Sequence, residues 1–103
     1  MKVRIEIPSE QIAGFCQRWK ITEFSLFGSV LREDFGPESD VDVLVTFAPE
    51  ARWSLFDLVL MENELCWILK HEVDLVEREA VARSPNYIRR RNILQSAQVI
   101  YAA

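Results

Sequence analysis

The sequence has two cysteines, one histidine and no apolar run long enough to span a bilayer. Cys16 and Cys66 lie far apart without a Cys-x-x-Cys motif, and each falls in an apolar helical stripe, which predicts reduced core thiols. The first residues contain no apolar signal core, so we expect a cytoplasmic protein. The single histidine, His71, has no neighbours that indicate a ligand or base, and we expect a structural loop residue.

The charge balance narrows the function classes. A formal net charge of −4 argues against a protein that coats nucleic acid electrostatically, although a local basic patch is compatible with it. Half of the 103 residues are hydrophobic, as in an ordinary globular domain. We find no repeat, low-complexity tract or linker, and we predict a single domain over residues 1–103.

Hydrophobic periodicity predicts an alternation of strands and helices. The elements, in chain order, are a strand over 3–7, a helix over 9–20 capped by Ser9, a strand over 21–27, a short helix over 30–34, a strand over 41–47, a helix over 54–70, a strand over 72–77 and a helix from Ser84-Pro85 to Tyr101. This order predicts an α/β (α+β) domain with a mixed sheet and helices packed mainly on one face.

The helix over 54–70 is apolar more than halfway round. Ser54 and Asp57 predict a capping box at its start. We expect its core face to consist of Leu55, Leu58, Val59, Leu65, Cys66 and Leu69. A second apolar stripe of Phe56, Leu60 and Trp67 lies beside that face. Such a helix is either deeply buried or part of an interface, and in so small a domain we favour the interface.

Asp40 and Asp42 stand at the start of a predicted strand. Residues two apart on a strand share a face, while Val41 and Val43 point to the other face. Asp74 lies on the next strand and can reach the same face if the two strands are neighbours. Two carboxylates about 4 Å apart repel by roughly 4 kcal/mol at an effective dielectric near 20, so three together require a cation. All-oxygen ligands predict Mg²⁺ or Mn²⁺ and in-line phosphoryl chemistry.

A Gly28-Ser29 turn precedes these carboxylates in the chain. Glycine allows a phosphate to approach closely, and amides at the start of a short helix favour an anion. Ser29 adds a hydroxyl donor, or else it only caps the helix. Arg32, one turn further on, is a candidate for a charge-assisted contact to the same phosphates, or a plain surface arginine. The run from Arg89 to Arg91 is a candidate for binding RNA or the nucleotide, but the favoured interpretation is the solvated side of a helix with one member in an ion pair.

Three segments together resemble a known family. They are Phe27-Gly28-Ser29, the run from Ser39 to Val45 that contains both aspartates, and Val73-Asp74-Leu75-Val76. In these segments the chain resembles the minimal nucleotidyltransferases of the DNA polymerase β superfamily, and the resemblance covers nearly the whole sequence. That family's members are small single domains, commonly encoded beside a HEPN-domain protein as a toxin–antitoxin pair.

The resemblance implies a role for each matching residue. Asp40, Asp42 and Asp74 would be catalytic and hold Mg²⁺, and Asp74 would also help to deprotonate the acceptor hydroxyl. Nucleotide binding would fall to the residues Gly28, Ser29, Arg32 and Ser39. The implied reaction transfers AMP from ATP to a tyrosine of a HEPN toxin, which this antitoxin would thereby inactivate.

Two other functions remain open. A binding-only antitoxin would block its partner through the stripe of Phe56, Leu60 and Trp67, although three costly carboxylates argue against a vestigial site. Transfer to a small molecule is disfavoured, because the chain after Asp74 is long enough for little more than one helix. The acceptor would then have to be held by a partner protein, or by a second copy in a homodimer.

Overall fold

The structure is a computed structural model that describes residue 5, residues 7–31, residue 36 and residues 39–103, and for Ser29 only the backbone. Within the predicted strand over 3–7 only Ile5 and Ile7 are described, and neither of them is in a strand. The rest of that prediction, and residues 32–34 of the predicted short helix, lie outside the described residues. Among the described helices, none is long and apolar enough to cross a membrane.

Helix α1 spans Ser9–Arg18 and packs on the sheet through three buried side chains, Ile12, Phe15 and Cys16. Pro8, and not the predicted Ser9, occupies the N-cap position, and its carbonyl accepts a hydrogen bond from Ile12 N at 3.0 Å. Burial raises the pKa of the Cys16 thiol to about 12, so this cysteine is an inert core residue, as the sequence predicts.

A mixed four-stranded sheet forms the centre of the fold. Its strands are β1 (Ile21–Phe27), β2 (Val41–Phe47), β3 (Val73–Glu77) and β4 (Gln98–Ala102), in the spatial order β3-β2-β1-β4. The central strand β1 is antiparallel to both β2 and β4, whereas β2 and β3 are parallel. The predicted α/β (α+β) class with a mixed sheet is therefore confirmed.

The C-terminal strand β4 was predicted wrongly as part of the last helix. Leu94, Ala97, Ile100 and Tyr101 recur at helical spacing, but the chain leaves the helix at Ala97, whose backbone is extended. The segment that follows pairs with β1, which would otherwise be an open edge of the sheet with unpaired backbone groups. Its β-branched and aromatic residues suit a strand, and this long-range pairing overrides the local periodicity.

Helix α2 spans Leu55–Leu69 and begins with the predicted capping box. Asp57 N donates to Ser54 Oγ at 3.2 Å, and Ser54 N donates to Asp57 Oδ2 at 2.9 Å. The predicted core face was wrong at Leu55, which is 81% exposed, and at Val59, which is 51% exposed. The buried residues are Met61, Leu65 and Leu69, because the helix turns a neighbouring face toward the sheet.

Two short helices follow β3. Helix α3 spans Arg78–Ala82, which the sequence did not predict, and α4 spans Tyr87–Ser96. Helix α4 is capped by Asn86, whose Oδ1 accepts from Arg89 N at 3.0 Å, so the predicted start at Ser84-Pro85 was wrong. Ser84 instead accepts a hydrogen bond from Asn86 N in the turn that precedes the helix.

The sheet carries a core on each face. Helices α1 and α2 cover the larger cluster, which includes Phe24, Val43 and Met61. On the opposite face, Val81 of α3 and Ile93 of α4 pack in a smaller cluster with Phe27 and Leu44. Side chains alternate between faces along a strand, so Asp42 and Asp74 share their face with this smaller cluster.

Candidate active site

The parallel pairing of β2 with β3 brings two predicted aspartates side by side. Asp42 and Asp74 are register partners across the two strands, and both line a cavity of about 330 Å³. Asp42 is half-buried and Asp74 is exposed at the rim. Two carboxylates therefore line one cavity, as the sequence predicts for neighbouring strands.

Gly28 forms the adjoining wall of the cavity. It follows Phe27, the partner of Asp42 in the β1–β2 ladder, and begins a 3₁₀ turn over Gly28–Leu31. Its φ is 75°, and a Cβ atom at this position would overlap Asp42 Oδ2 and lie 3.3 Å from Asp42 Cγ. Both facts require glycine here, because another residue would strain the backbone and displace the carboxylate.

The structure describes three of the remaining predicted site residues, namely Asp40, Ser39 and the backbone of Ser29. Asp40 lies exposed one residue before β2 and is not among the residues that line the cavity. The Ser39 hydroxyl accepts a hydrogen bond from Gly36 N at 3.1 Å, so it closes a turn. Ser29 lies in the 3₁₀ turn beside Gly28, and Arg32 falls outside the described residues.

A third wall comes from α4, whose arginines the sequence favours as a solvated face. Arg89, Asn92, Ile93 and Ser96 line the cavity opposite the sheet. Their spacing of three, four and seven residues places them on one face of the helix. The sequence contains that spacing. Only the packing of Ile93 against Phe27 and Leu44 shows that this helix face lies opposite the aspartates.

The three consecutive arginines of α4 have different surroundings. Arg90 donates to the backbone carbonyls of Ser84 at 3.1 Å and Ala82 at 3.5 Å, and its guanidinium lies 5.4 Å from the centre of the Tyr87 ring. It therefore ties α4 to α3 through carbonyls and not through the predicted ion pair. Arg91 is exposed, with no side-chain hydrogen bond or ion pair to any described residue.

The donor set of the cavity fits a hard divalent cation. Among the described residues no group of three or more acidic, histidine or cysteine side chains is arranged to hold a metal, so the predicted triad is represented here by Asp42 and Asp74. Mg²⁺ is commonly held by one or two carboxylates together with water and substrate phosphates. Two carboxylates beside an open space of this size satisfy that requirement.

A larger cavity, of about 470 Å³, lies at the far end of β2. It is bordered by Phe47, Arg52, Trp53 and Glu77 among others. Arg52 is engaged there in hydrogen bonds from its guanidinium to the carbonyls of Pro49 and Ala51, at 2.8 and 2.9 Å. This cavity lacks the paired aspartates and the glycine turn, so the smaller cavity is the candidate active site.

Comparison with known proteins identifies the family of the chain. The model of the nucleotidyltransferase domain family matches residues 9–100. The chain belongs to this family. The candidate protein adenylyltransferase MJ1217 of Methanocaldococcus jannaschii is 31% identical over 65 residues, which cover 63% of this chain and 64% of that protein. The chain therefore spans less than two thirds of the length of this relative.

Solved structures of nucleotidyltransferases share the fold. A structure described as a minimal nucleotidyltransferase is 28% identical, with a TM-score of 0.66 and coverage of 87% of this chain and 86% of that one. A toxin–antitoxin complex with AMP-PNP gives a TM-score of 0.70 at 19% identity, and the match covers 94% of this chain and 75% of that one. The complex of a tri-AMPylated HEPN toxin of Shewanella oneidensis with an MNT antitoxin gives a TM-score of 0.61 at 20% identity, and the match covers 92% of this chain and 70% of that one. The resemblance to minimal nucleotidyltransferases is confirmed.

Proposed function

We propose that the protein is a Mg²⁺-dependent nucleotidyltransferase that transfers AMP from ATP to a tyrosine hydroxyl of a HEPN-domain toxin and thereby acts as its antitoxin. The observation that carries this proposal is the register pairing of Asp42 with Asp74 in a cavity beside Gly28. The family membership supports nucleotidyl transfer, and the AMP-PNP complex and the AMPylated toxin among the structural relatives support the donor and the acceptor.

The proposed reaction uses two walls of the cavity, the paired strands and the Gly28 turn. The acceptor oxygen attacks the α-phosphorus of ATP, a new O–P bond forms, and the bond to the departing pyrophosphate breaks. Asp74 would take the proton of the acceptor hydroxyl, which its exposed position at the rim allows a bulky protein substrate to reach. The backbone at Gly28 and Ser29 would hold the triphosphate.

The carboxylates have a second role in this proposal. Asp42 and Asp74, with Asp40 approaching from the segment before β2, would hold the Mg²⁺ ions, and Mn²⁺ would serve in the same ligand set. When bound, the ions neutralise the charge that develops on the phosphate oxygens. Ser39 and Arg32 remain proposed nucleotide contacts, as the resemblance implies.

A second candidate function is neutralisation by binding alone. The outward face of α2 favours it, because Phe56, Leu60 and Trp67 are 71%, 41% and 84% exposed. This apolar face lies opposite the buried residues Met61 and Leu65, so the monomer leaves it uncovered. Contact through α2 and catalysis at the cavity are compatible in one protein.

The test combines the protein with a HEPN-domain partner, Mg²⁺ and α-labelled ATP. We expect label on the partner, and no detectable label with Asp42→Asn, which removes a charge without changing the side chain's size. Glu50→Gln is the matched control, because Glu50 is an exposed carboxylate outside the cavity. Full activity of Asp42→Asn would contradict the metal assignment, and a tight complex without label would favour the binding-only function.

A further inference from the structure

The α4 wall of the candidate site is held in place by one buried residue. Ile93 packs against Phe27 and Leu44, and this contact fixes which helix face meets the sheet. Arg89 lies one turn before Ile93, and Asn92 directly precedes it. Both residues line the cavity that contains Asp42 and Asp74. The wall therefore presents a cation and an amide to the space above the two carboxylates.

The fold itself makes no use of the Arg89 guanidinium. This side chain has no hydrogen bond and no ion pair with any described residue, although it lines the same cavity as two carboxylates. Arg90 gives a contrast, because its guanidinium is bound by two carbonyls and lies over an aromatic ring. The donors of the Arg89 guanidinium thus have no partner among the described residues.

The position of Arg89 in the helix adds to this contrast. It is the third residue of α4, whose first turn contains no acidic residue. Helix N-termini carry a partial positive charge, so a cation there is unfavourable for the helix by itself. Stabilisation of α4 does not explain this arginine, whereas an anion in the cavity would interact favourably with the guanidinium.

We infer that Arg89 binds the phosphates of the nucleoside triphosphate and that the neighbouring Asn92 amide hydrogen-bonds to the same nucleotide. This inference rests on the proposed function and adds the residues that recognise the donor. A guanidinium matches phosphate oxygens bidentately, and its charge offsets the repulsion between the triphosphate and the two aspartates. The Asn92 side chain offers both a donor and acceptors to uncharged groups.

Binding of RNA by the three arginines is the competing explanation. Such a surface would use Arg89 and Arg91 alike, because a phosphate backbone is recognised mainly by summed charge. In the structure the two differ, since Arg89 lines the cavity and Arg91 does not. The pair therefore provides a matched comparison on one helix, with the same change of charge at each position.

The experiment measures the affinity of the unaltered chain, Arg89→Ala and Arg91→Ala for Mg·ATP and for magnesium tripolyphosphate, by calorimetry at constant salt. We expect Arg89→Ala to weaken both ligands about ten- to hundredfold, as for loss of charge-assisted hydrogen bonds. Arg91→Ala should leave both affinities within about twofold. Arg89→Lys should lie between the unaltered chain and Arg89→Ala, and the melting temperature of ligand-free Arg89→Ala should not fall.

Each outcome decides the matter. Equal losses for Arg89→Ala and Arg91→Ala would overturn the inference in favour of a general basic surface. Unchanged tripolyphosphate affinity in Arg89→Ala would overturn the phosphate contact. If the unaltered chain binds no Mg·ATP, both the inference and the proposed function fail. If it binds Mg·ATP with the expected dependence on Arg89 and yet labels no partner, only the proposed function fails.

Discussion

The carboxylate of Asp42 occupies the space that a side chain at Gly28 would need. The two residues are brought together because Phe27, at the end of β1, pairs with Asp42 near the start of β2. The positive φ of 75° at Gly28 turns the chain away from the sheet at that point. We therefore expect a side chain at position 28 to displace the Asp42 carboxylate.

Gly28→Ala should abolish or strongly reduce nucleotidyl transfer. The added methyl group would displace the Asp42 carboxylate, and the left-handed backbone would cost about 1–2 kcal/mol in stability. Gly14→Ala is the control, because Gly14 lies within α1 with nothing within 4 Å of an added Cβ. We expect that variant to keep full activity and to gain about 0.5–1 kcal/mol. Labelling assays and denaturant unfolding check both; an active Gly28→Ala would contradict the placement of the site.

The pairing of two aspartates in the candidate site was predictable from the sequence, because local pattern and strand pairing agree there. Asp42 and Asp74 each follow a valine at the start of an apolar strand, and adjacent parallel strands align such residues automatically. The sequence did not place Arg89 beside the aspartates, because that position depends on where Ile93 packs, which is a long-range contact. The strand β4 was missed for the same reason, since its pairing with β1 is invisible to local periodicity.

Substitutions on the outward face of α2 should separate partner binding from nucleotide binding. We expect Leu60→Asp to weaken association with a HEPN-domain partner about tenfold or more, as for a buried interface residue, and to leave Mg·ATP affinity unchanged. Trp67→Asp is a second variant with little effect on folding, because this side chain is 84% exposed.

Gln11→Asp controls for the added charge, because it places a carboxylate at an exposed position of α1. Titration of labelled partner gives the association constants, and calorimetry gives the nucleotide affinity. Equal losses of partner and nucleotide binding in Leu60→Asp would mean that the residue only supports the fold. Undiminished partner binding in both aspartate variants would place the interface elsewhere.

Glu64 should make the stability of the domain depend on pH in the acidic range. Its carboxylate is paired with Arg18 and accepts a hydrogen bond from Trp19 Nε1 at 3.1 Å, and these contacts join α2 to α1. The hydrogen bond with Arg18 is the main cause that lowers the pKa of Glu64 below its ordinary value. A lowered carboxyl pKa stabilises the folded state above the unfolded value, near pH 4.3, and this contribution disappears as the pH falls through the folded value.

We therefore expect Glu64→Gln to lower the melting temperature by a few degrees at pH 7. The difference from the unaltered chain should shrink as the pH falls below about 4.3, because the unfolded chain then takes up a proton at Glu64, and it should vanish once the folded carboxylate is protonated too. Glu50→Gln, which alters an exposed carboxylate without a described ion pair, should show no such dependence on pH. Thermal unfolding followed by circular dichroism between neutral and acidic pH measures all three chains. A constant difference across that range would contradict a contribution from the charge of Glu64, because glutamine keeps the size of the side chain and an oxygen that can accept from Trp19 Nε1.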